Sequence, residues 1–246
     1  MLSLLLLNDC RTVSTVVLMR EIWEDGPPKS GPTTLQTYVL HLRRLFSRAF
    51  DVPTAEIARD LLQTRSGGYA FMIESGHLDV HRFVRWRDLG DQALARQEDQ
   101  VAVDAYQHAL DEWYGPALTD VEYGPLMRAE VARLEQSRLT VTERKITIEL
   151  RLGRHLDTLS ELASLVVRHR FHEDLHAQFM LALHRSGNRS RALEVFNLLR
   201  SSMIAELGLE PSPKVQRLHH AILAAKPELD LLESDRRRAA DEIYAF

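Results

Sequence analysis

Between Pro32 and Phe50 the chain reads PTTLQTYVLHLRRLFSRAF, and Leu35, Val39, Leu42 and Phe46 recur every three or four positions. That period belongs to a helix with a single apolar stripe. Thr34, Thr37, Tyr38, His41, Arg44 and Arg48 fall on another face, so the helix is expected to bury one side and present donors on the other. Upstream, Ser14 can cap a helix over residues 15–23, Gly26-Pro27-Pro28 stops it, and Pro32 suits the first turn of the next. Residues 3–7 are expected to be the end of a buried helix whose start lies ahead of the chain. After a connector of no definite form, residues 61–64 and 69–73 flank Arg65-Ser66-Gly67-Gly68, a hairpin signal with glycines available for positive φ. Three helices and a hairpin outline a winged helix.

From Asp79 onward glycine is scarce and apolar residues keep a helical period almost to the end. The period breaks at Tyr114-Gly115-Pro116, Gly124-Pro125, Gly153, Gly187-Asn188, Gly208 and Pro211-Ser212-Pro213, residues that end and restart helices. A string of roughly seven helices is expected, with no strand signal after Ile73. Residues 162–167, 177–184 and 192–199 read as paired antiparallel helices crossing at small residues such as Ala182 and Ala192, a tetratricopeptide-like pattern. Trp86, Trp113 and Tyr114 are expected to pack helix against helix. The fold class is therefore mainly α, with a winged helix at 1–76, an all-α tetratricopeptide-like array at 77–226, and a tail at 227–246 that carries Asp235-Arg236-Arg237-Arg238.

Charge sharpens the first section. The chain has a net charge of −4, yet no Asp or Glu occurs between Asp25 and Asp51, where Lys29, Arg43, Arg44 and Arg48 do. A local basic stripe on an acidic protein points to a polyanion, and a helix of this kind fits the major groove of duplex DNA. Thr33 and Thr34, near the helix N-terminus, are expected to bond phosphates, where exposed amides already favour anions. Thr37, Tyr38 and His41 are expected to face base edges, with Arg43, Arg44 and Arg65 supplying most of the charge. A single cysteine, Cys10, can form no internal disulfide and is expected to be a small apolar filler. Residues 4–7 form an apolar run far too short to span a bilayer, and no signal-peptide pattern precedes it, so a cytoplasmic protein without a membrane partner is expected.

Two motifs invite catalytic readings. His172-Glu173-Asp174-Leu175-His176 matches the HExxH pattern in which two histidines hold zinc and a glutamate acts as base. Here the acids look like first-turn residues of a helix, which places His172 at the helix start and argues against a zinc hydrolase. Neither GxxxxGK[ST] nor GxGxxG occurs, so no nucleotide-binding loop is supported. No catalytic residue, metal or cofactor is expected.

The stretches LLLLNDCRTVSTVVLMREIWEDGPP, TTLQTYVLHLRRLF and LLQTRSGGYAF together resemble the winged-helix region of the Streptomyces antibiotic regulatory protein family, itself similar to response-regulator output domains. Downstream, LDVHRFVRWRDLGDQAL, WYGPALTDV and ELGLEPSP resemble that family's bacterial transcriptional activation domain. The resemblance implies an activator of secondary-metabolite genes that binds direct repeats in promoters, two protomers side by side, and recruits RNA polymerase. It maps the recognition helix onto residues 33–50 and the wing onto 65–69, which brings in Gly67 and Tyr69. Members of the family carry a small antiparallel sheet ahead of the helix matching residues 3–7, so the winged helix is expected to be truncated at its leading sheet. The alternative is a helical protein-interaction adaptor that has lost DNA binding.

Overall fold

Each early helix forms where an apolar stripe meets a local stop signal. The computed structural model describes residues 1–226 and 229, apart from Asp9 and Ser75, and the expected tail at 227–246 lies almost wholly outside the described residues. Helix α1 (Leu2–Leu7) buries Leu4 and Leu5. Helix α2 (Thr15–Trp23) is capped by Ser14, whose Oγ accepts from the Val17 amide at 3.2 Å. Helix α3 (Gly31–Phe50) has proline in its first turn and buries Leu35 and Val39. Leu42 and Phe46 are half-buried and complete the stripe against Leu5, Leu18, Leu62 and Phe71.

The connector after Phe50 is helical, with α4 (Thr54–Glu56) running into a π-helical turn over Ile57–Leu61 that buries Ile57. Strands β2 (Leu62–Arg65) and β3 (Gly68–Phe71) then pair antiparallel, Arg65 opposite Gly68, which leaves a two-residue turn at Ser66-Gly67. The hairpin is thus tighter, and its second strand shorter, than the apolar pattern indicated. A third strand, β1 (Val13–Ser14), pairs with β3 in the order β1-β3-β2. Only glycine fits at 68, because an added Cβ would lie 2.1 Å from the Val13 carbonyl oxygen.

Seven helices follow in the described residues: α5 (Asp79–Ala95), α6 (Asp99–Asp111), α7 (Pro125–Arg151), α8 (His155–Arg168), α9 (Glu173–Arg185), α10 (Arg189–Leu207) and α11 (Pro213–Leu223). Their ends fall at the expected Gly and Pro breaks, with two further loops, at Gln97 and at His169–Phe171, that carry no such signal. The fold divides into two units, Met1–Arg85 with Ala109–Leu139, and Trp86–His108 with the described residues from Thr140 onward.

In the first unit Glu21 of α2 is buried and caps the start of α7. Its Oε1 accepts from the amides of Gly124 (2.8 Å) and Met127 (3.2 Å), and its Oε2 from Leu126 (2.9 Å). A carboxylate there answers both the unpaired first-turn amides and the positive end of the helix dipole. Gly124 is the close neighbour this needs, since a Cβ would come within 2.1 Å of the Glu21 carbonyl oxygen. In the second unit Ala182 and Ala192 are fully buried between α9 and α10, as the small-residue pattern suggested. Tyr106 is buried too, its ring filling the space left by Gly90 and its hydroxyl donating to Asp91 at 2.6 Å.

The aromatic expectations hold in part. Trp86 packs on His108 (4.7 Å between ring centres) and Trp113 meets Phe83 edge-on at 5.4 Å. Tyr114 does not pack; it is 92% exposed, because it stands past the end of α6 where no helix covers it. His172 is the N-cap of α9 and Glu173 its first residue. Glu173 accepts the Ser212 amide at 2.6 Å and His172 Nε2 lies 3.1 Å from Glu143, while His176 is buried with Nδ1 3.1 Å from the His172 carbonyl. The side chains of the HExxH pattern therefore serve helix capping and packing.

Candidate nucleic-acid interface

The polar face of α3 lies in the first unit, held from behind by the buried stripe. His41, Arg44, Leu45, Arg48 and Ala49 recur at helical spacing and surround one shallow depression. His41, Arg44 and Arg48 are exposed, and among the described residues neither Arg44 nor Arg48 forms an ion pair. Nearer the N-terminus Thr33 and Thr37 are exposed and Thr34 is half-buried. The hydroxyls of Thr34 and Thr37 donate back to the carbonyls of Ser30 (3.0 Å) and Thr33 (3.1 Å). With its proton so engaged, each hydroxyl still offers acceptor lone pairs. Tyr38 is 41% exposed and stacks on Trp23 at 6.3 Å, which fixes its ring at the edge of the face.

Three expected residues are placed differently from the rest. Arg43 turns to the hairpin: its guanidinium donates to the Leu62 carbonyl through Nε (2.9 Å) and Nη2 (2.7 Å) and to Thr64 Oγ1 (2.8 Å). Burial lowers its pKa, with the nearby Tyr69 acting the other way. Arg65 is exposed beside the tip but is held by Gln63 Oε1 at 2.8 and 3.1 Å. Tyr69, expected on the DNA side of the wing, is only 6% exposed, because β1 pairs across β3 and encloses its ring in the core. Gly67 sits at the exposed tip with φ of +78°, a conformation glycine adopts without strain.

Sequence pattern alone missed Leu45. It is 59% exposed between His41, Arg44 and Arg48, and Leu40 and Phe50 of the same helix are also exposed. The signal was available: Leu45 is an apolar residue lying off the Leu35–Phe46 stripe.

A winged helix with a basic, acid-free outer helix, followed by an all-α array, defines a transcriptional regulator of the winged-helix class. Residues 78–223 match the family model described as the bacterial transcriptional activator domain. The chain is 46% identical over 228 residues to the regulatory protein DnrI of Streptomyces peucetius, covering 93% of this chain and 84% of DnrI. It is 32% identical over 229 residues to the regulatory protein AfsR of Streptomyces griseus, spanning 93% of this chain but 22% of that much longer relative. Among solved structures, that of Mycobacterium tuberculosis EmbR in complex with a low affinity phosphopeptide superposes with a TM-score of 0.84 at 27% identity, covering 99% of this chain and 62% of EmbR. The chain belongs to the Streptomyces antibiotic regulatory protein family of transcriptional regulators. No helix among the described residues is long and apolar enough to cross a membrane.

Proposed function

We propose that this regulator is a sequence-specific DNA-binding activator of a secondary-metabolite gene cluster. It acts in the cytoplasm, docks α3 in the major groove of promoter direct repeats, and recruits RNA polymerase through its helical array. The working division is a DNA-binding part at 1–76 and an activation part at 77–226. The observation that carries this reading is the acid-free face of α3, where Arg44 and Arg48 stand exposed without ion pairs among the described residues, in a chain of net charge −4. Resemblance to DnrI, a regulatory protein of an actinomycete, supports the assignment to regulated gene clusters.

On this reading Arg44, Arg48 and Arg65 neutralise phosphates, Thr33, Thr34 and Thr37 add backbone contacts, and His41 with Tyr38 reads base edges. Leu45 is placed to meet thymine methyl groups, which apolar side chains recognise in the major groove. Arg43 keeps α3 and the hairpin at a fixed angle, and Gly67 lets the turn approach the backbone closely. Tandem repeats would seat two protomers side by side. A gel shift on the chain's own upstream promoter tests the reading: cognate repeats should bind more tightly than a scrambled duplex, with affinity falling steeply as salt rises. Equal affinity for both duplexes would sink it. His41→Ala should bind but with relaxed sequence preference.

A further inference from the structure

The second unit carries an open groove of about 670 Å³, lined by side chains of α5, α7, α9 and α11. Its lining is largely apolar: Leu94, Leu181 and Leu218 are only half-buried there, and Ile148, Leu150 and Ala177 add buried surface. Half-buried leucines gathered along one groove favour an occupant that takes them out of water. The charged side chains of the lining are four bases, Arg144, Arg151, Arg185 and Lys214, against two acids, Glu143 and Asp174. Arg144, Arg151 and Lys214 pair with Asp91, Asp99 and Asp174. Pairs near the surface are weak, so a further acid can share these cations at little cost. Arg185 bonds to carbonyls: its Nη1 donates to Leu150 at 2.7 Å and its Nε to Leu229 at 2.8 Å.

The bond to Leu229 fixes where the chain stands once α11 has ended: it is tied to the Arg185 end of the groove. The residues that follow, 230–235, lie outside the described residues and read Asp-Leu-Leu-Glu-Ser-Asp, two leucines among three acids with no base. An apolar lining with a surplus of bases is the complement of that composition. Length agrees as well. Along α9 the groove runs from Arg185 to Asp174, about 16 Å of helix, and six extended residues reach about 20 Å. We propose that residues 230–235 lie in this groove, Leu231 and Leu232 on Leu181 and Leu218 and the acids toward Lys214, Arg144 and Arg151, so that the helical array is closed by its own tail. Any other occupant then has to displace a tethered one, present at an effective concentration on the order of 1 mM.

The test is fluorescence anisotropy of a labelled peptide of residues 228–235 with the full chain in three forms: wild type, Leu231→Asp with Leu232→Asp, and that double variant with Lys214→Glu added. With its own tail disabled, the double variant should bind the peptide with a dissociation constant below about 100 µM. Wild type should bind it about tenfold more weakly, because the tethered tail competes at about 1 mM. Lys214→Glu, at an exposed position, should weaken binding to the double variant at least about threefold. If that variant fails to fold, Arg144→Gln, also at an exposed position, carries the same comparison. A peptide of the same composition in scrambled order should bind at least about tenfold more weakly than the true sequence. Absence of saturable binding to the double variant, affinity unchanged by the groove substitutions, or equal binding of the scrambled peptide would overturn the proposal. Equal affinity for wild type and the double variant would overturn it too, by leaving the groove open to a separate partner. DNA takes no part in the measurement, so its outcome is separate from that of the promoter assay.

Discussion

Helix α3 and the helices of the array are amphipathic by the same physical rule, but they treat charge in opposite ways. In the second unit several cations are paired with acids: Arg144 with Asp91, Arg151 with Asp99 at 2.6 Å, Arg200 with Glu210 at 2.6 Å, and Lys145 with Glu161 at 3.1 Å. On α3 no acid is within the helix, and Arg44 and Arg48 have no ion pair among the described residues. Matched pairs at the surface add little stability and release no counterions to a partner. Unmatched cations along one helix face keep their field available to a polyanion, and their benefit appears only on binding. Charge that is buried and satisfied should be felt in folding, and charge left exposed and unmatched should be felt in recognition.

The strongest way to probe that difference is at the one buried carboxylate that joins α2 to α7. Glu21→Ala strands the amides of Gly124, Leu126 and Met127 in a buried place and removes the charge facing the helix dipole. Loss of unfolding free energy on the order of 2–4 kcal/mol is expected, read from urea denaturation. A loss below about 0.5 kcal/mol would mean that water replaces the carboxylate and that the clasp is incidental.

Arg43 and the pair Arg44 and Arg48 form the sharper contrast, since the three lie on one helix and look alike in sequence. Arg43→Ala removes its bonds to Leu62 and Thr64 and should cost about 1–2 kcal/mol of stability. Its effect on DNA binding should follow from the loosened hairpin and be similar for all sequences. Arg44→Ala with Arg48→Ala should leave stability within about 0.5 kcal/mol of wild type. The same double variant should reduce promoter affinity roughly tenfold and flatten the slope of log affinity against log salt by about two phosphates' worth, about 0.9 each. If the double variant unfolds more easily while its salt slope is unchanged, the division between matched and unmatched charge fails.

These contrasts also mark what could be read from the chain alone. Helix ends were legible because Gly and Pro act locally: Gly208 ends α10 in the left-handed conformation and Pro213 opens α11. Helix α3 was legible because its apolar and basic stripes repeat within twenty residues. The strand at Val13–Ser14 was not, for two residues carry no period and their partner, β3, lies far along the chain. The burial of Tyr69 follows from that same pairing, so it was missed for the same reason. The tie from Arg43 to the hairpin was not legible, because spacing gives its side of the helix but not the position of the Leu62 carbonyl. The Glu21 clasp joins residues more than a hundred positions apart, and no local pattern announces it.

The smallest effect lies where the array's matching falls short. Lys145 serves two acids, with Nζ 3.1 Å from Glu161 and 3.9 Å from Glu149. Burial pushes the Glu149 carboxyl above its ordinary value of 4.5, and the attraction of Lys145 only partly offsets it. A raised folded-state pKa means that the native state holds the proton more tightly than the unfolded one. That contribution to stability is fully present below 4.5 and is lost as pH rises through the folded-state value. At pH 7 the native state therefore carries a poorly solvated charge, whereas Lys145 keeps a partner in Glu161 if that charge is removed. Glu149→Gln should raise the urea midpoint at pH 7, and the gain should shrink toward zero as pH is lowered below 4.5. On α3, where the surplus charges are exposed cations, no such pH-dependent gain should accompany Arg44→Ala. A Glu149→Gln variant that is less stable at pH 7, or whose gain does not change with pH, would show that Lys145 satisfies both carboxylates and that the array has no surplus of its own.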